Sequence, residues 1–171
     1  MNSLLSANDK ALLVSLIPLH RVAMYQSERL IQGGPSDMVG EIARDMIRRM
    51  RSELHVMMGY AEGLGTMSSA GNSHLYLDTV QDYYVRVTQQ PAPDLRYFEI
   101  PQERGPMREK DYLQFMIQHH LIVVNMCRKH LRLTDNVSIM ALCHQMKQDQ
   151  THEAVKMRGQ LTPEERRNYP L

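Results

Sequence analysis

Six identities in this chain share a constant offset of 100, among others: Ile17 and Ile117, His20 and His120, Met46 and Met146, Glu53 and Glu153, Met57 and Met157, Gly59 and Gly159. Apolar positions around them keep the same phase. Identities held in register across two helix-length segments predict an internal duplication. They constrain the fold more than any composition figure does, because each copy must present the same face to its own partner.

The denser copy contains Tyr112 to Met126, which carries adjacent histidines, His119 and His120, with no Gly or Pro. Met116, His119, Val123, Met126 and His130 follow at three- and four-residue steps. Such positions stack along one helical face. An ordinary core stripe would be Leu, Ile and Val; this one mixes imidazoles with thioethers.

Each copy predicts two helices. Ser6 to Asp9 offers capping residues ahead of Leu13, Leu16, Ile17, His20, Met24, Ser27 and Ile31. Pro18 is expected to kink this helix, since it removes a donor and crowds the preceding turn. Gly33-Gly34-Pro35 ends it, and Ser36-Asp37 caps a second helix with Val39, Ile42, Ala43, Met46, Met50, Glu53 and Met57. In the other copy a helix runs from about 107–111 to Leu131, with Arg128, Lys129 and Arg132 suiting its C-terminus. Thr134-Asp135-Asn136 makes the turn and cap. The last helix carries Ile139, Leu142, Cys143, Met146, Gln150, Glu153 and Met157. Short connections predict antiparallel neighbours.

The expected architecture is an all-α single domain over residues 1–171. It is an antiparallel four-helix bundle of two duplicated helical hairpins, with repeats at 10–59 and 107–159. Residues 160–171 form a tail. Residues 60–106 form a long crossover, punctuated by Gly63, Gly65, Gly71, Pro91, Pro93 and Pro101. Its Tyr76, Tyr83, Tyr84 and Tyr97 are too many for a free linker. Leu75 to Val80 reads equally as a short helix or a strand.

Charge excludes some partners. Twenty basic residues against 19 acidic ones give +1 and no basic patch, so nucleic acid is not expected. No apolar run approaches the ~18 residues of a membrane span. The first ten residues lack the pattern of a signal peptide. The chain is then cytoplasmic, or the mature form of a periplasmic or extracellular protein.

Fourteen Met and eight His set the chemistry. Thioether and imidazole together suit a soft or borderline ion, copper above all. The candidate metal ligands are Met116, His119, His120, Met126, Met146 and Met157. A weaker second set is His20, Met24, Met46, Met50 and Met57. His130, His144, His152 and Cys143 are peripheral candidates. Met also fills irregular core gaps, and that role stays open for each of these methionines. Glu53 and Glu153 are expected to hydrogen-bond His20 and His120, because buried polar groups are normally paired. The paired His and Glu also suggest a di-iron bundle, but the Glu-x-x-His motif of such sites is missing. Cys127 and Cys143 lie on facing helices, either as small buried hydrophobes or as a disulfide.

The motif Met116-Ile117-Gln118-His119-His120, with Met126 six residues on and Gln150-x-x-Glu153-x-x-x-Met157 on the following helix, resembles the domain of unknown function 305 family. The first copy keeps His20, Glu53 and Met57 but has Leu19 for the first His and Gln26 for the Met. The family is similar to ferritin-like bundles and includes CopM-type copper-binding proteins found outside the cytoplasm. The resemblance implies binding of Cu(I), with Ag(I) as its mimic, for storage, buffering or resistance rather than catalysis. The other reading is a non-enzymatic scaffold that binds a protein partner or a second copy through its Met-rich surface.

Overall fold

The structure is a computed structural model that describes residues 4–61 and 73–171; side chains from 61 to 79 lie outside the description. Among the described residues every regular element is helical: α1 (Ala7–Gln32), α2 (Asp37–Ala61), α3 (Ser73–Thr88), α4 (Glu109–His130), α5 (Val137–Gly159) and α6 (Pro163–Arg166), with a 3-10 turn at Leu95–Tyr97. None of these helices is long and apolar enough to cross a membrane.

α1 is the hub. It packs on α2, α3 and α4, while α4 packs on α5. Its sequence explains this. Leu12, Leu13, Leu16, Ile17, Leu19, Val22, Ala23 and Leu30 point in several directions and are all buried. A helix that is apolar on more than one face must be covered on more than one face. The helix starts on a capping box, in which Ser6 Oγ accepts from Asp9 N and Asp9 Oδ2 accepts from Ser6 N. It continues through Pro18 as one helix.

α2 buries only one stripe: Val39, Ile42, Ala43, Met46, Met50, Glu53 and Met57. The turn joining it to α1 places Gly34 at φ +63, in the left-handed region that glycine enters without strain. α5 likewise buries a single stripe of Ile139, Cys143, Met146, Gln150, Glu153, Ala154 and Met157. Asn136 caps it, its side-chain oxygen accepting from the backbone of Ser138 and Ile139.

The crossover is ordered where described. Leu75 to Val80 falls within α3, so the ambiguous stretch is helical. Val80, Tyr83, Tyr84 and Val87 are buried, and α3 packs on α1 and α4. Gly63, Gly65 and Gly71, together with the Tyr76 side chain, lie outside the described residues. Beyond α3, Tyr97 stacks on Phe115 with centroids 4.8 Å apart. Arg29 then ties the return to α1: its Nε donates to Gly105 O at 2.8 Å, and its own carbonyl accepts from Met107 N.

The expected tail is partly structured. Thr162 and Glu165 form a second capping box, α6 follows, and the Arg158 Nε donates to Tyr169 O at 2.7 Å. Buried Leu161 supplies the apolar contact that holds this turn down.

Candidate metal centre

Two His–Glu pairs lie inside the molecule. His20 on α1 meets Glu53 on α2, Nε2 to Oε2 at 2.7 Å. His120 on α4 meets Glu153 on α5, Nε2 to Oε2 at 2.6 Å. Both pairs span 33 positions. A carboxylate opposite an imidazole removes most of the penalty for burying either group.

The two pairs differ in their remaining atoms. His20 Nδ1 donates to Leu16 O at 2.8 Å, so both of its ring nitrogens are engaged. His120 Nδ1 has no hydrogen-bond partner among the described residues. Glu153 Oε1 accepts from Arg49 Nη1 at 2.8 Å, whereas Glu53 Oε1 has no partner among the described residues.

His119 occupies a third position. Its Nε2–H donates to the backbone carbonyl of Leu19 at 2.7 Å. Nδ1 is therefore the nitrogen carrying the lone pair. That atom is buried and has no hydrogen-bond partner among the described residues. Burial, followed by the neighbouring His120 and His20 against the opposing Leu19 bond, holds the ring well below the usual 6.5. His119 is thus a neutral imidazole with one nitrogen fixed and the other open. Metal-binding histidines have this arrangement, the second nitrogen being oriented by a carbonyl or carboxylate. His120 is likewise held through Nε2, by the Glu153 carboxylate.

The methionines of the candidate sets are largely buried as well. Met116, Met126, Met146 and Met157 are all fully buried, as are Met46, Met50 and Met57; Met24 is half-buried. The His120–Glu153 contact sets the register of the antiparallel α4–α5 pair. Met157, four residues beyond Glu153, falls level with Met116, four before His120. Met146 falls level with Cys127. Because α4 is helical throughout, Met116 and Met126 are separated by about 15 Å of rise. Sharing a face therefore does not let Met116, His119 and Met126 share one ion. Met116, His119 and Met157 lie within one turn of each other along the axis, and Met126 and Met146 form a separate level. In the first pair the open imidazole nitrogen is absent, so His20, Met24, Met46, Met50 and Met57 offer thioethers alone.

Among the described residues no three or more His, Cys, Asp or Glu side chains form a group that could hold a metal ion. Cys127 and Cys143 are both buried free thiols. The adjoining Cys143 thiol, and then burial, push the Cys127 thiol well above its ordinary range. His144 and His152 are exposed on α5.

A second buried cluster escaped the sequence reading. His130 Nε2 meets Asp9 Oδ1 at 2.8 Å, and Tyr83 OH meets His130 Nδ1 at 2.5 Å. The cluster joins α1, α3 and α4. Burial lowers His130 despite the opposing Asp9 carboxylate. Burial works to raise Asp9, but hydrogen bonds from Thr134, His130 and Ser6 outweigh it and leave the carboxyl lowered. The available signal was position: Asp9 falls in phase with Leu12, Leu13, Leu16 and His20, on the buried side of α1. Ser6-x-x-Asp9 reads as a cap alone, and Asp9 serves both roles.

No curated protein matches the chain, and no solved structure does. The sequence profile of one family matches residues 15–161, a span that takes in α1 from its third turn through α5 and contains both His–Glu pairs. The chain belongs to that family, described as Domain of unknown function (DUF305).

Proposed function

We propose that the protein binds Cu(I), with Ag(I) as its mimic, through His119 Nδ1 and the thioethers of Met116 and Met157. The observation that carries this reading is the His119 ring: fully buried, neutral, fixed through Nε2 by Leu19 O, and presenting an Nδ1 with no partner among the described residues. Leaving such a group unsatisfied costs about 1–3 kcal/mol. A soft cation bound at that nitrogen recovers the loss. Thioether and neutral imidazole are uncharged ligands, so a monovalent ion brings only one charge into the core. They favour Cu(I) over Zn or Mg.

His120 Nδ1 is a second nitrogen of the same kind, oriented by Glu153. Met126 and Met146 serve a separate level of the α4–α5 pair. The role we propose is storage, buffering or resistance. We further infer that the scaffold is a ferritin-like four-helix bundle of two related hairpins, in which α1–α2 has kept the His–Glu pair and lost the open imidazole. The equal 33-residue span of the two pairs supports this.

Competition with a colorimetric Cu(I) chelator tests the site. The Met116→Leu, Met157→Leu double variant should keep its helicity and thermal midpoint, since these swaps nearly conserve volume. Its Cu(I) affinity should fall at least tenfold. Unchanged affinity rejects this ligand set. Stoichiometric zinc or iron with neither copper nor silver rejects the function.

A further inference from the structure

The two His–Glu pairs end differently at the cleft between α2 and α5. At Glu153 the outer oxygen, Oε1, accepts the Arg49 guanidinium at 2.8 Å. At Glu53 the outer oxygen is buried, and no described residue donates to it. Glu53 as a whole is 9% exposed. The residue standing 100 positions after Arg49, where a mirrored guanidinium would come from, is Asp149.

Asp149 adds a carboxylate where a cation would balance the charge. It accepts from Gln145 Nε2 at 2.7 Å, and its other oxygen stands 3.8 Å from Arg49 Nη1. Arg49 is thus committed to Glu153. Glu53 and Asp149 line one cleft of about 380 Å³ together with Ser52, Ser138, Tyr60, Leu142 and Arg49, whose guanidinium is already held by Glu153. The cleft combines a buried acceptor, a second carboxylate, hydroxyls and apolar walls.

We propose that this cleft binds a guanidinium group, seated on Glu53 Oε1 and Asp149 as Arg49 is seated on Glu153. The chemistry favours guanidinium over a bare metal ion. Among the described residues, Glu53, Asp149 and their neighbours form no group of three or more His, Cys, Asp or Glu side chains that could hold one. A planar fork of N–H donors can satisfy two carboxylates at once, and its weak hydration lowers the cost of entering a half-enclosed cleft. The apolar walls take the attached methylene chain. This site is independent of the buried copper ligands.

Calorimetric titration of the whole protein with agmatine tests it, with putrescine as a diammonium control. Agmatine should bind one to one. Asp149→Asn should weaken it at least tenfold. Asp149→Arg should abolish binding and raise the thermal midpoint, because an arginine there reaches Glu53 from within the chain. Blocked arginine, N-acetylarginine methylamide, separates the sources: tighter binding than agmatine identifies an arginine of a partner protein, and weaker binding a free small guanidine. Absence of saturable agmatine binding, binding indifferent to both Asp149 variants, or putrescine binding as tightly as agmatine each overturns the proposal.

Discussion

His119 on α4 donates its Nε2–H to the main-chain carbonyl of Leu19 on α1, 2.7 Å away, and the two residues are 100 positions apart in the chain. That separation equals the offset at which His20 and His120, and Glu53 and Glu153, recur. The bond therefore joins the two helical pairs where α1 and α4 pack together. A carbonyl inside α1 has its own helical donor and accepts this one with its second lone pair. An imidazole at position 19 would bring a second buried ring to this contact, and leucine avoids that.

The neutral state of His119 and His130 makes stability depend on pH. Both have folded pKa values below the ordinary 6.5, chiefly through burial. The unfolded chain therefore binds more protons than the folded one once pH falls below about 6.5. Stability should hold above pH 7 and decline as pH falls from about 6.5 toward 5, by up to ~1.4 kcal/mol per pH unit for each histidine that stays neutral. Urea unfolding across this range checks it. The slope should shrink in His119→Gln, and a flat profile in the unsubstituted chain would contradict the burial argument.

Truncating Glu153 should cost more than truncating Glu53. Glu153→Ala strands His120 Nε2 and also takes from Arg49 its nearer carboxylate, leaving Asp149 at 3.8 Å, whereas Glu53→Ala strands His20 Nε2. Removing one member of a buried pair costs about 3–5 kcal/mol. Glu153→Ala belongs at the upper end and Glu53→Ala at or below the lower. Chemical denaturation of the two variants side by side gives the order, and equal losses would mean Arg49 contributes nothing.

Tyr83→Phe removes the hydroxyl from His130 Nδ1 and leaves that nitrogen buried without its donor. A loss of about 1–3 kcal/mol is expected. Asp9→Asn should lose at least as much, because Asp9 serves both His130 and the capping box of α1. Thermal unfolding measures each change. A double-mutant cycle between these positions should show coupling, since one ring carries both bonds.

Much of the helical framework was legible in the sequence because helices repeat. The stripe Met46, Met50, Glu53, Met57 and its counterpart Met146, Gln150, Glu153, Met157 fix which side of α2 and α5 faces inward. Once a Glu and a His both sit on inward stripes of neighbouring helices, the cost of an unpaired buried group forces them together. The turn signals at Gly33-Gly34 and Asn136 bounded those helices correctly for the same local reason. Leu75 to Val80 was not legible, since six residues with mixed period decide nothing until α1 and α4 supply the surface they pack on.

The sequence by itself determined helix faces, caps and the identity of the donor atoms, because these follow from spacing and side-chain chemistry within a few turns. The tertiary structure decided which of those atoms are left over. Arg49 could have served Glu53, one turn away on its own helix; the α2–α5 approach gives it to Glu153. His119 could have offered either nitrogen; the packing of α4 on α1 binds Nε2 to Leu19 and leaves Nδ1 open. Asp9 could have remained a surface cap; the end of α4 brings His130 against it. Each outcome depends on distances between residues remote in the chain. Helical periodicity sets the direction a side chain takes and carries no information about what it meets.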